Sequence, residues 1–424
     1  MNSCQGFSRR SFFASAAAIS GAAMLSSATK AEDEKVSEKP DSFMASHPML
    51  QNVGETSASI SWAINRPCTG WVEWGVTPEL GKVARNSQFG LNPYETDFLS
   101  ARITGLAPRT TYYYRTATCS FDYKTAYDKT ISEPEYSDIY SFKTVGASDE
   151  ETSFFVMNDT HNTMQTIQAL IKRAEDLNPD MIFWNGDLCS FYMEPEHIKT
   201  NICNPTGTPY VAQRPLVYVP GNHDRRGQWA RNVPKCLTTW QQEDVQFESL
   251  GFNSAFRRGP LACITLDTGE DKPDWHPAWS GMANYEPYRE LQAAWLEKVL
   301  QRPEIQSAPY LIAFCHIPLY FDNPKANPGN ILDKWATIQW PAARMWGPLF
   351  EKYGVQLLIA AHLHRFSYHP ATAERSWAEI IGGGPEFKNA YSIQGVANSK
   401  EFKLTCEKIE DLSIAGSWTF KPRV

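Results

Sequence analysis

The chain has 424 residues, of which 42% are hydrophobic, 13% aromatic and 21% charged. That is the profile of a folded globular protein with room for two domains at ~100–200 residues each, and it excludes both a disordered chain and a small disulfide-stapled scaffold. The formal charge is −7, whereas non-specific neutralisation of nucleic-acid phosphates favours a basic face, so general nucleic-acid binding is not expected. Any phosphate recognition has to be local, and metal ions are the natural carriers of it.

At the amino end, Arg9 and Arg10 precede Phe12, Phe13 and an Ala- and Ser-rich apolar stretch that runs to Leu25. The apolar part is about 14 residues, a signal-peptide length and short of the ~20 that a spanning helix needs. The paired arginines resemble the twin-arginine export signal of bacteria, and Ser26 and Ala28 suit a cleavage site. Residues 1–28 are therefore read as a leader. The resemblance implies handling by the twin-arginine export machinery, folded export, and a periplasmic or secreted protein without a stable membrane span in the mature chain. Taking the two leader arginines from the 40 Lys and Arg leaves 38 against 47 acidic residues, or −9.

Residues 29–41 are rich in Lys, Glu, Asp and Ser and read as a solvated linker. From 42 to 146 the pattern is β. Ile60, Trp62 and Ile64 alternate with small or polar residues, Tyr112 and Tyr114 share a face, and Asn65-Arg66-Pro67 and Leu106-Ala107-Pro108 mark turns. Several short strands at this spacing make an all-β sandwich.

Beyond Thr152, continuous apolar runs alternate with helical stretches. Phe154–Met157, Met181–Trp184, Leu216–Val219, Leu261–Leu266, Tyr310–Phe314 and Val355–Ala360 read as strands covered on both faces, with amphipathic helices at about 163–177, 286–301 and 341–353. This is the pattern of a layered α/β domain.

The residues just past the strands are the informative feature. Asp159 and His161 come after the first run, Asp187 after the second, Asn222, His223 and Asp224 after the third, His316 after the fifth, and His362 and His364 after the sixth. Ligands bind outside the carboxyl ends of strands in open α/β sheets, so these side chains are expected to converge. Carboxylate, imidazole and amide oxygen suit Mn, Fe or Zn, and the set is too large for one tetrahedral ion. Two divalent ions sharing a carboxylate are equipment for hydrolysis at phosphorus.

In order and context, Asp-Thr-His at 159–161, Gly-Asp at 186–187, Gly-Asn-His-Asp at 221–224, the lone His316 and His-Leu-His at 362–364 resemble the calcineurin-like metallophosphoesterases over about 152–385. The resemblance implies one ion on Asp159, His161, Asp187 and His364, and a second on Asp187, Asn222, His316 and His362. It makes His223 the residue that contacts the phosphoryl group, with Asp224 orienting its imidazole, in a reaction where metal-bound hydroxide attacks phosphorus directly. The run from Ile103 to Tyr114, closing on Tyr140–Thr144, resembles the fibronectin-III-like amino domain of purple acid phosphatases. The expected fold is thus a fibronectin-III-like all-β sandwich followed by a larger α/β layered metallophosphoesterase domain, with a carboxyl-terminal extension, 386–424, packing on the catalytic domain. Two departures set the chain apart from the purple enzymes. Ser190 stands where they carry a tyrosinate iron ligand, and His161 where they have Gly, so a coloured redox iron site is not expected.

The substrate expected is a small phosphate ester. Arg225 and Arg226 suit the dianion of a monoester, while the tryptophan-rich segments 225–252 and 320–340, with Trp229, Trp240, Tyr320, Trp335 and Trp340, suit the second substituent of a diester. Phosphomonoester hydrolysis is the first reading and phosphodiester hydrolysis the second. A glycan- or partner-binding protein built on an inactive phosphoesterase scaffold is the reading from another class. Gly382–Gly384 lack a following Lys-Ser/Thr and read as a tight turn beside the site rather than a phosphate cradle. Eight cysteines follow the leader, enough for four bridges, and their spacing does not choose a pairing.

Overall fold

The computed structural model describes residues 42–147, 150–320 and 334–423, with the backbone alone for 334–340. The leader and linker readings, 1–28 and 29–41, lie outside the described residues. The amino part contributes strands β1 (Met49–Gln51), β2 (Ser57–Ala63), β3 (Cys68–Gly75), β4 (Lys82–Ala84), β5 (Phe98–Thr104), β6 (Thr111–Tyr123), β7 (Lys129–Ile131), β8 (Glu135–Tyr136) and β9 (Tyr140–Lys143). The remainder contributes β10 (Thr152–Met157), β11 (Met181–Asn185), β12 (Leu216–Val219), β13 (Ser254–Arg258), β14 (Leu261–Thr265), β15 (Tyr310–Phe314), β16 (Leu357–Ala360), β17 (Ser367–His369), β18 (Ala378–Ile381), β19 (Tyr391–Ala397), β20 (Phe402–Lys408) and β21 (Ile414–Phe420).

The six apolar runs read from the sequence do not share one sheet. β10, β11 and β12 lie parallel in a nine-stranded sheet of order β21-β20-β19-β10-β11-β12-β1-β2-β5, while β14, β15, β16 and β18 lie parallel in a six-stranded sheet of order β13-β14-β15-β16-β18-β17. The reason is visible in the core. Phe154, Val156, Phe183 and Val217 from the first sheet meet Cys263, Ile312, Phe314 and Ile359 from the second, with Phe183 and Phe314 stacked at 3.9 Å. The opposite faces take helices. Phe155, Met157, Ile182 and Trp184 pack on helix Met164–Leu177 through Ile167, Leu170 and Ile171, and Ile264, Leu311 and Leu358 pack on helices Tyr285–Leu300 and Lys334–Tyr353 through Trp295, Leu296, Trp346 and Phe350. A strand buried on both faces reads as one apolar run whichever neighbour covers it, so the sequence pattern cannot divide the strands between sheets.

Residues 49–143 form two groups of strands over one core. Ile60, Trp62, Leu99 and Ile103 of β2 and β5 meet Val72, Trp74, Tyr112 and Tyr114 of β3 and β6, and Trp62 Nε1 donates to Thr118 Oγ1 at 2.9 Å. The β1-β2-β5 group is not free-standing. β1 joins β12 at Gln51–Leu216, and the outer face of β2 is covered by the α/β part, where Gln51 Nε2 and Ser61 Oγ both donate to the Cys236 carbonyl at 2.9 and 2.7 Å. Tyr114 Oη donates to the Ala212 carbonyl at 2.6 Å in the same way. Residues 42–424 accordingly form one unit. At the other edge β19 pairs antiparallel with β10, so 391–420 joins the nine-stranded sheet as three further strands.

Candidate metal centre

Each ligand candidate sits at the carboxyl end of a strand, and the backbone there is bent hard. Asp159, His161, Asp187, His362 and His364 all have φ between 43° and 71°, a region non-glycine residues enter at a cost and one that concentrates at functional sites. Close approach sets the two glycines of the motifs. A Cβ on Gly186 would lie 2.2 Å from His316 Nδ1, and one on Gly221 2.2 Å from Asp187 Oδ1.

The side chains gather into two overlapping groups, Asp159, His161, Asp187 and His364 on one side and Asp187, His316 and His362 on the other, with ligand atoms within 4.8 Å of one another in each. His161 Nε2 and His316 Nε2 lie 3.3 and 3.2 Å from Asp187 Oδ2, and His364 Nε2 lies 3.5 Å from Asp159 Oδ1. The protein holds each carboxylate by one oxygen only. Asp159 Oδ2 accepts from the His362 amide and from Asn158 Nδ2, and Asp187 Oδ1 accepts from the His223 amide. The other oxygens, Asp159 Oδ1 and Asp187 Oδ2, are buried without a hydrogen-bond partner, as are His316 Nε2 and both amide atoms of Asn222. A buried polar atom left unpaired costs ~1–3 kcal/mol, and here several converge on one place. Divalent ions satisfy that donor set.

The electrostatics call for the same thing. Burial opposes a charge on His316, but the Asp187 and Asp159 carboxylates outweigh it and push the imidazole up to about 10. Burial, followed by the neighbouring His316, drives His362 down to about 4, which leaves its imidazole neutral, the form that can coordinate a metal. His316 Nδ1 donates to the Asn185 carbonyl at 3.0 Å, so Nε2 is the nitrogen turned to the centre, where a bound cation would take the place of its proton.

His223 lies beside this cluster, its ring 4.6 Å from that of His161. Asp224 does not orient it. The Asp224 carboxylate accepts from the amides of Asp187, Leu188 and Gly221 and from Tyr192 Oη, and so clamps the turn that carries Asp187. The partner of His223 Nδ1 is instead the Ser190 carbonyl at 2.9 Å, a main-chain contact that no motif reveals. Burial lowers the His223 pKa, and its Nε2 accepts from Arg226 Nη1 at 2.7 Å.

The two arginines part company. Arg225 pairs with Asp267 and lies against the Phe252 ring, whereas Arg226 reaches His223 and is held from behind by Glu270 at 2.5 Å and Asp271 at 3.1 Å. Glu270 and Asp271 were not among the sequence candidates, although they come after β14 as the other site residues come after their strands. The tryptophans read as suiting a diester's second substituent also divide. Trp229 packs on Phe98 and Trp240 stacks on Phe256, so both hold their segments down, while the side chains of Trp335 and Trp340 lie outside the described residues. Tyr320 meets His369 and Arg375 rather than the metal cluster. The glycine turn does border the site: a Cβ on Gly384 would lie 2.6 Å from His364 Cβ, and one on Gly382 2.1 Å from Asn158 Oδ1.

Comparison with known proteins fits this geometry. The fold is similar to that of a purple acid phosphatase, PPD1, from yellow lupin (Lupinus luteus) seeds, with a TM-score of 0.62 at 15% identity over 88% of this chain and 74% of that one. It is similar also to PhoD, with a TM-score of 0.61 at 13% identity over 91% and 92%. No curated protein sequence matches the chain significantly. The calcineurin-like phosphoesterase family matches residues 152–366, the segment that carries every ligand candidate. The chain therefore belongs to the calcineurin-like phosphoesterases, with Asp and His residues placed to hold metal ions.

Proposed function

We propose that this protein is an exported phosphomonoesterase working with two divalent ions, Mn, Fe or Zn. One would be held by Asp159, His161, Asp187 and His364, the other by Asp187, Asn222, His316 and His362. The observation that carries the reading is the membership of Asp187 in both ligand groups, with one oxygen fixed by the His223 amide and the other unpartnered. When bound, such ions supply Lewis acidity at the phosphoryl oxygens and a hydroxide nucleophile near neutral pH.

The chain's own residues do the rest. His223, its Nδ1 held by the Ser190 carbonyl, turns Nε2 to the edge of the centre, where it would contact the phosphoryl group, either giving a proton to the leaving oxygen when Nε2 is protonated or stabilising charge on the phosphoryl oxygens. Arg226 brings a permanent charge to the same edge. Its partners Glu270 and Asp271 fix the guanidinium without consuming the Nη1 that faces His223, and a further cation there favours the dianion of a monoester over the monoanion of a diester. The leader reading places the mature protein in the periplasm or outside the cell, and the strands of residues 42–146 form a fibronectin-III-like module that stiffens the catalytic sheet at β1.

The test is hydrolysis of p-nitrophenyl phosphate against bis-p-nitrophenyl phosphate by protein loaded with Mn, Fe or Zn. A monoester preference that Arg226→Ala abolishes supports the proposal; preference for the diester moves the reading to a phosphodiesterase. Folded, metal-loaded protein without turnover on either ester sinks the enzyme reading. Export is tested separately, since Arg9→Lys with Arg10→Lys should hold the protein in the cytoplasm.

A further inference from the structure

Behind the catalytic turn two buried thiols face each other. Cys203 ends the helical turn Lys199–Cys203 in the segment after Asp187, and Cys236 closes the short helix Ala230–Lys235 in the segment after His223. Their Sγ atoms are 3.3 Å apart, with Cys203 2% and Cys236 0% exposed. A pairing of Cys68 with Cys119 is ruled out by register. Cys68 lies opposite Ser120 and Cys119 opposite Thr69, so these two cysteines occupy successive rungs of β3 and β6 and point to opposite faces. Cys189 and Cys315 are turned to the His197 and Ile317 carbonyls.

We propose that Cys203 and Cys236 are a disulfide site, and that the bond locks together the two segments that hold His223. Those segments are already stitched at their near ends. Tyr192 N donates to the Arg226 carbonyl at 2.7 Å, Trp229 N to the Tyr192 carbonyl at 2.9 Å, and Gln228 Nε2 to the Met193 carbonyl at 3.0 Å, while the Ser190 carbonyl holds the His223 ring. The far ends are joined by the thiol pair alone among these contacts, and the Cys236 carbonyl in turn receives Gln51 and Ser61 from the amino strands. A bond at this point closes a loop of 33 residues, long enough for the cross-link to restrict the unfolded chain appreciably.

The chemistry balances as thiol–disulfide exchange. The oxidant is a small-molecule or protein disulfide; one sulfur of it forms a mixed disulfide with one of the two thiolates, and the other cysteine displaces it. The chain loses two protons and two electrons as the S–S bond forms, and the oxidant's disulfide becomes two thiols. Both sulfurs are shielded in the native state, and burial raises the Cys203 thiol well above its usual value. The bond accordingly forms during folding or on local opening and, once formed, resists reduction in the native protein.

The full chain, refolded from urea in a buffer of oxidised and reduced glutathione, is alkylated under denaturing conditions without reductant and mapped by mass spectrometry. A peptide pair linked through Cys203 and Cys236 is expected, lighter by two hydrogens than the sum of its thiol forms. A further expectation is a Tm several degrees higher for the oxidised than the reduced protein, a difference that vanishes in Cys203→Ser with Cys236→Ser. Full alkylation of both residues, or a link from either to another cysteine, overturns the proposal. If the double variant does not fold, the peptide map of the unaltered chain decides alone.

Discussion

Asp187 is held from several sides, because its backbone sits at φ 52°, its amide is bound by Asp224 and its Oδ1 by His223 N. Only Oδ2 is left for a cation. Asp187→Ala should therefore remove metal from both ligand groups, and elemental analysis of the purified variant is expected to show most of the parental content gone. His223 predicts the opposite split. His223→Ala should cut turnover by the ~10²–10⁴ of a lost proton donor while metal content stays at the parental level; loss of metal in this variant would make His223 a ligand. Ser190 adds a spectroscopic expectation. Its hydroxyl is engaged by the His161 carbonyl at 3.3 Å and cannot supply a phenolate, so the iron-loaded protein should show no strong visible charge-transfer band. The six carboxylate and imidazole candidates that the structure brings together were legible in the sequence because such side chains are few in type and a strand end is a readable address. The Ser190 carbonyl was not, since every residue has one.

Between strand ends and site lie the connecting segments, and here reading by residue type worked less well. Arg225 and Arg226 are neighbours of one type, yet only the second reaches His223, because successive side chains at the short helical turn His223–Arg225 leave on different sides. The segment after β14 decides the matter by placing Asp267 for one arginine and Glu270 and Asp271 for the other. Burial, with the neighbouring Asp271, raises Glu270 to about 7. It is therefore a carboxylate above that pH and a neutral acid below it, and its hold on Arg226 weakens as the solution is acidified. KM for a monoester should rise as pH falls through 7, and Glu270→Gln should show the raised KM throughout while kcat changes less. An unchanged KM–pH profile in the variant would remove Glu270 from substrate positioning. The helices at 164–177 and 285–300 were readable within a residue or so from their apolar spacing. Trp229 and Trp240 pack on Phe98 and Phe256, a role the sequence could not tell from substrate contact because a large aromatic in a long segment serves packing and binding equally well until its neighbours are known.

On the scale of the whole molecule, a buried carboxyl away from the metal ligands ties stability to pH. Glu379, at β18 in the six-stranded sheet, is fully buried, and both of its oxygens face the Tyr320 amide. Burial lifts its pKa to about 8, against about 4.5 in an open chain. The folded protein thus holds a proton that the unfolded chain has released between those values. Stability falls as pH rises from about 4.5 to 8, at most by ~1.4 kcal/mol per pH unit, and the loss levels off above the folded-state value. Glu379→Gln should flatten that slope, which a Tm series spanning acid to mildly alkaline buffers would detect; parallel curves for the two proteins would show that this carboxyl is ionised throughout.

By itself, the sequence determined the residue type and the address of each ligand candidate. Residue types capable of holding borderline metals come after apolar strands in a fixed order, and that order survives because each ligand is bonded covalently to its own strand. Tertiary structure alone decided how the strands are shared between two sheets, since a strand covered on both faces has the same pattern whatever covers it. It also decided that β1 and β19–β21 extend the catalytic sheet, a matter of backbone hydrogen bonds that carry no side-chain signature. Which arginine serves His223, and which two of eight cysteines meet, were settled by the same kind of long-range contact. These pairings join residues far apart in the chain or opposed across a turn, and local periodicity holds no information about partners at that distance.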